Sequence, residues 1–324
     1  MAEDPIVGSR KPPVILALID LTRILYFGPA VLSVFLIGAV LAMPDGRMWS
    51  TLLRVLFLGV VGFSGGFVLN DWADCASDRV MLDARMHHPE YVEQLRKERR
   101  FTGTRPMAAG IISPSAGLAF ALVLIAISGA VALTLPSPHR WYVLAGLAFG
   151  TAAEPLYCVL KRKQTRFPFA TFLSAALVGI CPAVGYLAVR EPDLTALALF
   201  VSLYFWELGF NQLYDTVDTE NDRLRGITTL SRAIGLRFVA GWCLLLSVLS
   251  TASFVFVWRS TASGSAMLAG ICAAALILIG TDAVLLARPR LRTASAAIGI
   301  HQVFVIIIVA ATVIDAILRW TSAY

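Results

Sequence analysis

Nine long apolar segments dominate this sequence and restrict what it can fold into. They occupy approximately residues 15–43, 52–70, 114–135, 140–160, 168–189, 192–213, 234–258, 264–287 and 296–318. Each is close to the length of about 20 residues that an α-helix needs to cross the hydrocarbon core of a bilayer. Because 58% of the residues are hydrophobic and only 15% are charged, a water-soluble fold of this length would leave much apolar surface exposed. The pattern predicts an all-α, polytopic membrane protein with about nine transmembrane helices.

The basic residues alternate from one connecting loop to the next. Lys and Arg are concentrated near residues 71–113, 161–167, 214–233 and 288–295, whereas the loops between these carry few. The positive-inside rule places the basic loops and the N-terminus in the cytoplasm. We therefore expect an integral protein of a bacterial-type plasma membrane. The same rule accounts for the net charge of +6, and because the basic residues are scattered between spans, we expect no nucleic-acid partner.

Two clusters of acidic residues lie at the predicted cytoplasmic ends of the second and sixth apolar segments. In the first cluster, Asn70, Asp74 and Asp78 are spaced by four residues, and Asp71 lies beside them. Residues three or four apart share one face of a helix, so this spacing predicts a polar stripe. The second cluster follows the same rule and consists of Asn211, Asp215, Asp218 and Asp222.

A divalent cation explains why two such stripes occur at one membrane depth. Their carboxylates repel each other unless positive charge lies between them. Mg²⁺ takes oxygen ligands and usually combines one or two carboxylates with substrate phosphates. For one cluster alone, helix capping or simple solvation is a sufficient explanation. Two matched clusters on the basic side of the membrane instead indicate two halves of a site for Mg²⁺ and a diphosphate.

Basic side chains near the same membrane face supply charge that stabilises a leaving diphosphate. Tyr157 lies one helical turn before Lys161, so the hydroxyl and the ammonium group are expected to point toward one cavity. Further candidate cations are Arg105, Arg162 and Arg223.

The motifs resemble those of the UbiA superfamily of intramembrane prenyltransferases. The family's first motif, N-D-x-x-D-x-x-x-D, matches residues 70–78, and its second, D-x-x-x-D, matches residues 218–222. A family Y-x-x-x-K motif matches residues 157–161. The resemblance implies one membrane domain over residues 1–324, built as a helical bundle around a central cavity that opens to lipid.

The resemblance also implies roles for single residues. The expected metal ligands are Asn70, Asp74, Asp78, Asp218 and Asp222. The groups that the resemblance implies for contact with the substrate diphosphate are Asp71, Lys161 and Arg162. To these we add Arg105 and Arg223 from the basic loops, and Asn211 and Asp215 from the second acidic stripe. The residues expected to be catalytic are Asp74, Asp218, Lys161 and Tyr157.

One interval departs from the family pattern. Family members usually place an Arg-Pro pair shortly after the first motif, whereas here residues 79–104 precede Arg105. The composition of residues 89–100 favours a short amphipathic helix. A solvated loop and a lid over the site are the other interpretations. The interval leaves the role of Arg105 open.

The leading functional prediction is transfer of a prenyl group from an isoprenyl diphosphate to an acceptor that the sequence does not identify, in contact with membrane lipid. A terpene cyclase of the UbiA type, which needs no acceptor, is the alternative. A transporter fits less well, because the acids cluster at one membrane face.

Several other groups within the spans are secondary candidates. For Arg23, anchoring of the helix or pairing with Asp20 is favoured over binding of an acceptor carboxylate. For His301, a packing role is favoured. The aromatic residues considered for shielding an allylic cation are Phe67, Trp72, Tyr204, Phe205 and Trp206.

Overall fold

The structure, a computed structural model, describes residues 13–43, 48–85, 101–162, 169–217, 219 and 229–322. Within these residues there are helices, turns and no β-strand. The helices are α1 (Val14–Thr22), α2 (Ile24–Ala42), α3 (Trp49–Arg85), α4 (Pro114–Leu133), α5 (His139–Arg162), α6 (Phe169–Leu187), α7 (Leu194–Val217), α8 (Leu230–Ile234), α9 (Leu236–Ser260), α10 (Ser265–Ala287) and α11 (Leu291–Ser322).

The nine predicted spans are confirmed. In the described part of the chain, nine helical segments are long and apolar enough to cross a membrane, and each overlaps one predicted segment. The second differs at its end: it was predicted to stop near residue 70, but α3 continues to Arg85. Hydropathy falls at the first acid cluster, whereas the helix continues because its backbone hydrogen bonds do not require apolar side chains. The cluster therefore lies within a helix.

The first span consists of two helices that meet at Arg23. This residue follows α1 and precedes α2, with φ 50° and ψ 20°. A residue with a side chain seldom adopts this left-handed conformation. The break interrupts the helical register that would place Arg23 above Asp20.

Close backbone approach of α2 and α6 organises the middle of the bundle. A Cβ atom added at Gly38 would lie 1.8 Å from the carbonyl oxygen of Pro182, and one added at Gly185 would lie 2.4 Å from that of Phe35. Small residues allow such crossings in membranes, where van der Waals packing drives association. From this centre, α3, α4 and α5 pack on one side and α7, α9, α10 and α11 on the other.

A buried polar network joins α9, α10 and α11. The carboxylate of Asp282 accepts a hydrogen bond from the Ser247 hydroxyl at 2.5 Å and lies 3.0 Å from Nε2 of His301. Asp282 is 0% exposed and His301 is 1% exposed. Buried polar groups require such partners, so the packing role predicted for His301 is supported.

Candidate active site

The four residues of the first acid cluster have two different environments on α3. Asp71 and Asp78 are buried, with exposures of 3% and 5%, and each forms an ion pair with an arginine. Asn70 and Asp74 are half-buried and lie one turn apart on one helix face. Asp71 and Asp78 thus hold two arginines, whereas Asn70 and Asp74 have side-chain oxygen atoms that can bind a ligand.

Arg23 pairs with Asp71, so the favoured pairing with Asp20 is wrong. Asp20 instead accepts hydrogen bonds from the backbone N–H groups of Phe101 and Thr102 at 2.9 and 2.8 Å, and from the Thr102 hydroxyl at 2.5 Å. The guanidinium carbon of Arg23 lies 5.0 Å from the centroid of the Phe67 ring. This is a distance at which a cation is attracted to an aromatic face.

Arg105 returns to the first motif despite the long interval before it. Its guanidinium group is ion-paired with Asp78, and Nε of Arg79 donates to the carbonyl oxygen of Ala108 at 3.3 Å. Residues 79–85 of that interval belong to α3, and the helix predicted at residues 89–100 lies outside the described residues. The residues that flank the interval 79–104, Asp78 and Arg105, are therefore in contact at the end of α3 that is predicted to be cytoplasmic.

Helix α5 contacts this cluster through the carboxylate of Glu154, a residue that none of the sequence motifs includes. Nδ2 of Asn70 lies 3.4 Å from Oε2 of Glu154 and 3.4 Å from Sγ of Cys158. One turn further along, Nζ of Lys161 lies 5.6 Å from the centroid of the Tyr157 ring. The sequence does mark Glu154 in one way, because it is an acidic residue inside an apolar span. Placing an ionisable side chain there costs free energy, so such residues usually have a function.

The second acid cluster is only partly described. On α7, Nδ2 of Asn211 donates to Oγ of Ser174 on α6 at 3.3 Å. Asp215 is half-buried and lies within electrostatic range of Tyr157. The predicted residues Asp218, Asp222 and Arg223, together with the side chain of Arg162, lie outside the described residues.

The donor set suits a hard cation. Asn70 and Asp74 supply oxygen ligands of the kind that Mg²⁺ prefers, and Mg²⁺ usually takes few protein ligands beside substrate phosphates. Within the described ranges, no three His, Cys, Asp or Glu side chains form a group that holds a metal by itself. This agrees with a site that the diphosphate or the second cluster must complete.

An apolar groove begins beside Glu154. It is bordered by α2, α3, α5 and α6, and its walls include glycine residues of α3 and α5. Phe63 lines the groove and lies 5.2 Å from Phe67, centroid to centroid. Of the aromatic residues considered from the sequence, Phe67 lies against Arg23, whereas Trp72 is 37% exposed.

Comparison with known proteins agrees with this arrangement. The model of the UbiA prenyltransferase family matches residues 31–314. The chain belongs to the UbiA prenyltransferase family. Like that family, it is a membrane-embedded enzyme of the prenyltransferase type.

Individual UbiA relatives share both sequence and architecture with it. The 4-hydroxybenzoate octaprenyltransferase of Ralstonia nicotianae is 28% identical over 240 residues, which cover 72% of each chain. A solved digeranylgeranylglyceryl phosphate synthase superimposes with a TM-score of 0.69 at 20% identity, covering 94% of this chain and 98% of the other. A UbiA homologue from Archaeoglobus fulgidus, solved with DMAPP and Mg²⁺, gives 0.54 at 14% identity, covering 91% and 99%. At these identities the structures establish the fold.

Proposed function

We propose that this protein uses Mg²⁺ to ionise an isoprenyl diphosphate and transfers the prenyl group to an aromatic acid, releasing diphosphate on the cytoplasmic side. One observation carries the proposal: Asn70 of α3, one helical turn from Asp74, contacts Glu154 of α5, and Glu154 lines an apolar groove. The diphosphate of the donor and its apolar prenyl tail therefore each have a suitable environment, and the two environments adjoin. The proposed acceptor class is supported by the name of one relative, 4-hydroxybenzoate octaprenyltransferase.

The described side chains have separate tasks in this reaction. When bound, Mg²⁺ neutralises the charge that develops on the departing diphosphate. Asn70 and Asp74 hold oxygen atoms toward the metal, and Lys161 adds a positive charge beside the phosphates. The Tyr157 hydroxyl orients a phosphate oxygen by donating to it.

The ion-paired residues hold positive charge around the diphosphate. Asp71 fixes the guanidinium group of Arg23 and Asp78 fixes that of Arg105. A fixed cation stabilises developing charge more effectively than a mobile one, because it does not reorganise during the reaction. In this proposal Asp78 acts through Arg105, and a direct bond from Asp78 to the metal is a secondary assignment.

The remaining predicted residues belong to α7, to the stretch of sequence that follows it and, for Arg162, to the end of α5. We assign metal binding to Asp218 and Asp222, and contact with the diphosphate to Arg162, Arg223, Asn211 and Asp215. The support is the matched spacing of the two clusters and the position of Asp215 near Tyr157.

Product analysis tests the proposed function. Purified protein is incubated with Mg²⁺ and geranyl, farnesyl or geranylgeranyl diphosphate, with and without 4-hydroxybenzoate. We expect diphosphate release that depends on the acceptor, with one prenylated acceptor formed for each diphosphate. Formation of a cyclic terpene without acceptor would show that the protein is a terpene cyclase and not a transferase. Intact donors in every mixture would overturn the proposal.

A further inference from the structure

The groove beside Glu154 follows one helix and has mainly apolar walls. It extends along α5 from residue 143 to residue 154, which is about 16 Å at 1.5 Å per residue. Three glycines of α3 (Gly59, Gly62 and Gly66) and two of α5 (Gly146 and Gly150) line its walls. Some of these glycines allow close packing of neighbouring helices, whereas Gly150 faces open space.

The polar end of the groove meets the first acid cluster. Glu154 lines the groove, and its carboxylate lies 3.4 Å from Nδ2 of Asn70. A diphosphate placed at Asn70 and Asp74 therefore has the groove as the adjoining apolar space. Beyond Glu154 and Thr151 the lining is predominantly apolar, which excludes a polar acceptor as the main occupant.

We propose that this groove receives the prenyl tail of the donor and that Gly150 determines how long a tail it accepts. This inference rests on the proposed function and specifies its donor site. Gly150 lies four residues from Glu154, about 6 Å along the helix axis. A short tail ends near this level, whereas a longer tail must pass it.

The surroundings of the glycines distinguish Gly150 from the others. A Cβ added at Gly59 would lie 2.7 Å from the ring of Phe35, and one added at Gly146 would lie 2.3 Å from the side chain of Val184. These two positions are needed for helix packing. A Cβ added at Gly150 meets nothing within 4 Å, so a side chain there extends into open space. A Cβ added at Gly62 would lie 3.1 Å from the side chain of Leu147, and one added at Gly66 would lie 3.5 Å from that of Glu154, at the polar end of the groove. Gly150 is thus the groove glycine with the most open space for a larger side chain.

The experiment compares Gly150→Leu with Gly280→Leu. Gly280 of α10 is exposed, also has nothing within 4 Å of an added Cβ, and lies outside the groove. Both substitutions replace glycine within a helix by a better helix former, so both variants should fold. For each protein, kcat/KM is measured with dimethylallyl and geranylgeranyl diphosphates and 4-hydroxybenzoate. Thermal stabilisation by their non-ionising thiolodiphosphate analogues is measured separately.

We expect Gly150→Leu to reduce the ratio of kcat/KM for the long donor to that for the short donor by about tenfold or more. The affinity ratio of the analogues should fall in the same direction, and Gly280→Leu should leave both ratios unchanged. Equal ratios in Gly150→Leu and the unsubstituted protein would overturn the inference. If no donor reacts but Gly150→Leu weakens binding of the long analogue alone, the proposed function fails and the groove assignment stands. If neither analogue binds the unsubstituted protein, both fail.

Discussion

The guanidinium group of Arg105 is ion-paired with the carboxylate of Asp78, although the two residues are 27 positions apart in the chain. Both side chains are largely buried, with exposures of 16% and 6%. Removing one partner from such a pair takes a nearby opposite charge away from the other, and this is usually more costly than the pair itself is stabilising.

Arg105→Ala and Asp78→Ala should each reduce the free energy of unfolding by about 1–3 kcal/mol, since partial exposure moderates the cost for a fully buried pair. The double variant should be less destabilised than the sum of the two. Thermal unfolding in detergent measures all three proteins. Strictly additive losses would show that the two side chains do not interact.

Asp74→Ala should lower turnover by about 100-fold or more in a protein that still folds, because Asp74 is assigned to the metal and lies half-buried on α3. Chelation of Mg²⁺ should abolish turnover of the unsubstituted protein, and added Mg²⁺ should restore it. Glu191→Ala is the matched control, since Glu191 is an exposed carboxylate in the loop between α6 and α7, at the other end of the bundle. Near-normal turnover of Asp74→Ala would remove Asp74 from the metal site.

Two substitutions at Arg23 distinguish the effect of its backbone conformation on stability from the effect of its charge. Both Arg23→Gly and Arg23→Ala lose the ion pair with Asp71, but only glycine adopts a φ of 50° without steric cost. Arg23→Ala should therefore be less stable than Arg23→Gly by about 1 kcal/mol. Melting temperatures measured side by side check this order. Indistinguishable values would mean that the helix break relaxes when the guanidinium group is lost.

The network of Asp282 and His301 should matter for stability and not for chemistry. His301→Leu leaves the buried Asp282 with Ser247 as its remaining described partner, so we expect a clear fall in melting temperature. Replacing both residues by leucine should recover part of the loss, because no buried charge then remains. The turnover of each folded variant should match that of the unsubstituted protein. A selective loss of turnover would assign this network to the reaction.

Hydropathy and spacing were sufficient for the large features of the fold. The nine spans are visible because each must bury a long apolar surface in lipid, and the stripe at Asn70 and Asp74 is visible because helical periodicity is fixed. The end of α3 was placed too early, since polar residues end a hydropathy window without ending a helix. The assignments of Asp218, Asp222 and Arg223 stay predictions from their spacing.

Other features depend on long-range contacts that local patterns do not contain. The break at Arg23 has neither glycine nor proline at its centre, so nothing in the local sequence marks it. The pairing of Arg23 with Asp71 follows from that break. Glu154 gains its importance from Asn70, which lies on a different helix.

The hydrogen bonds from Thr102 to Asp20, together with the pairing of Arg105 and Asp78, have a consequence for how the first helices are held. Asp20 lies on α1 and Asp78 lies on α3, so the segment that begins at residue 101 contacts both helices. The attachment of α1 and α3 at this end of the bundle therefore depends on side chains that belong to neither helix. A substitution at Thr102 or Arg105 is expected to weaken the contact of this segment with one helix while leaving its contact with the other.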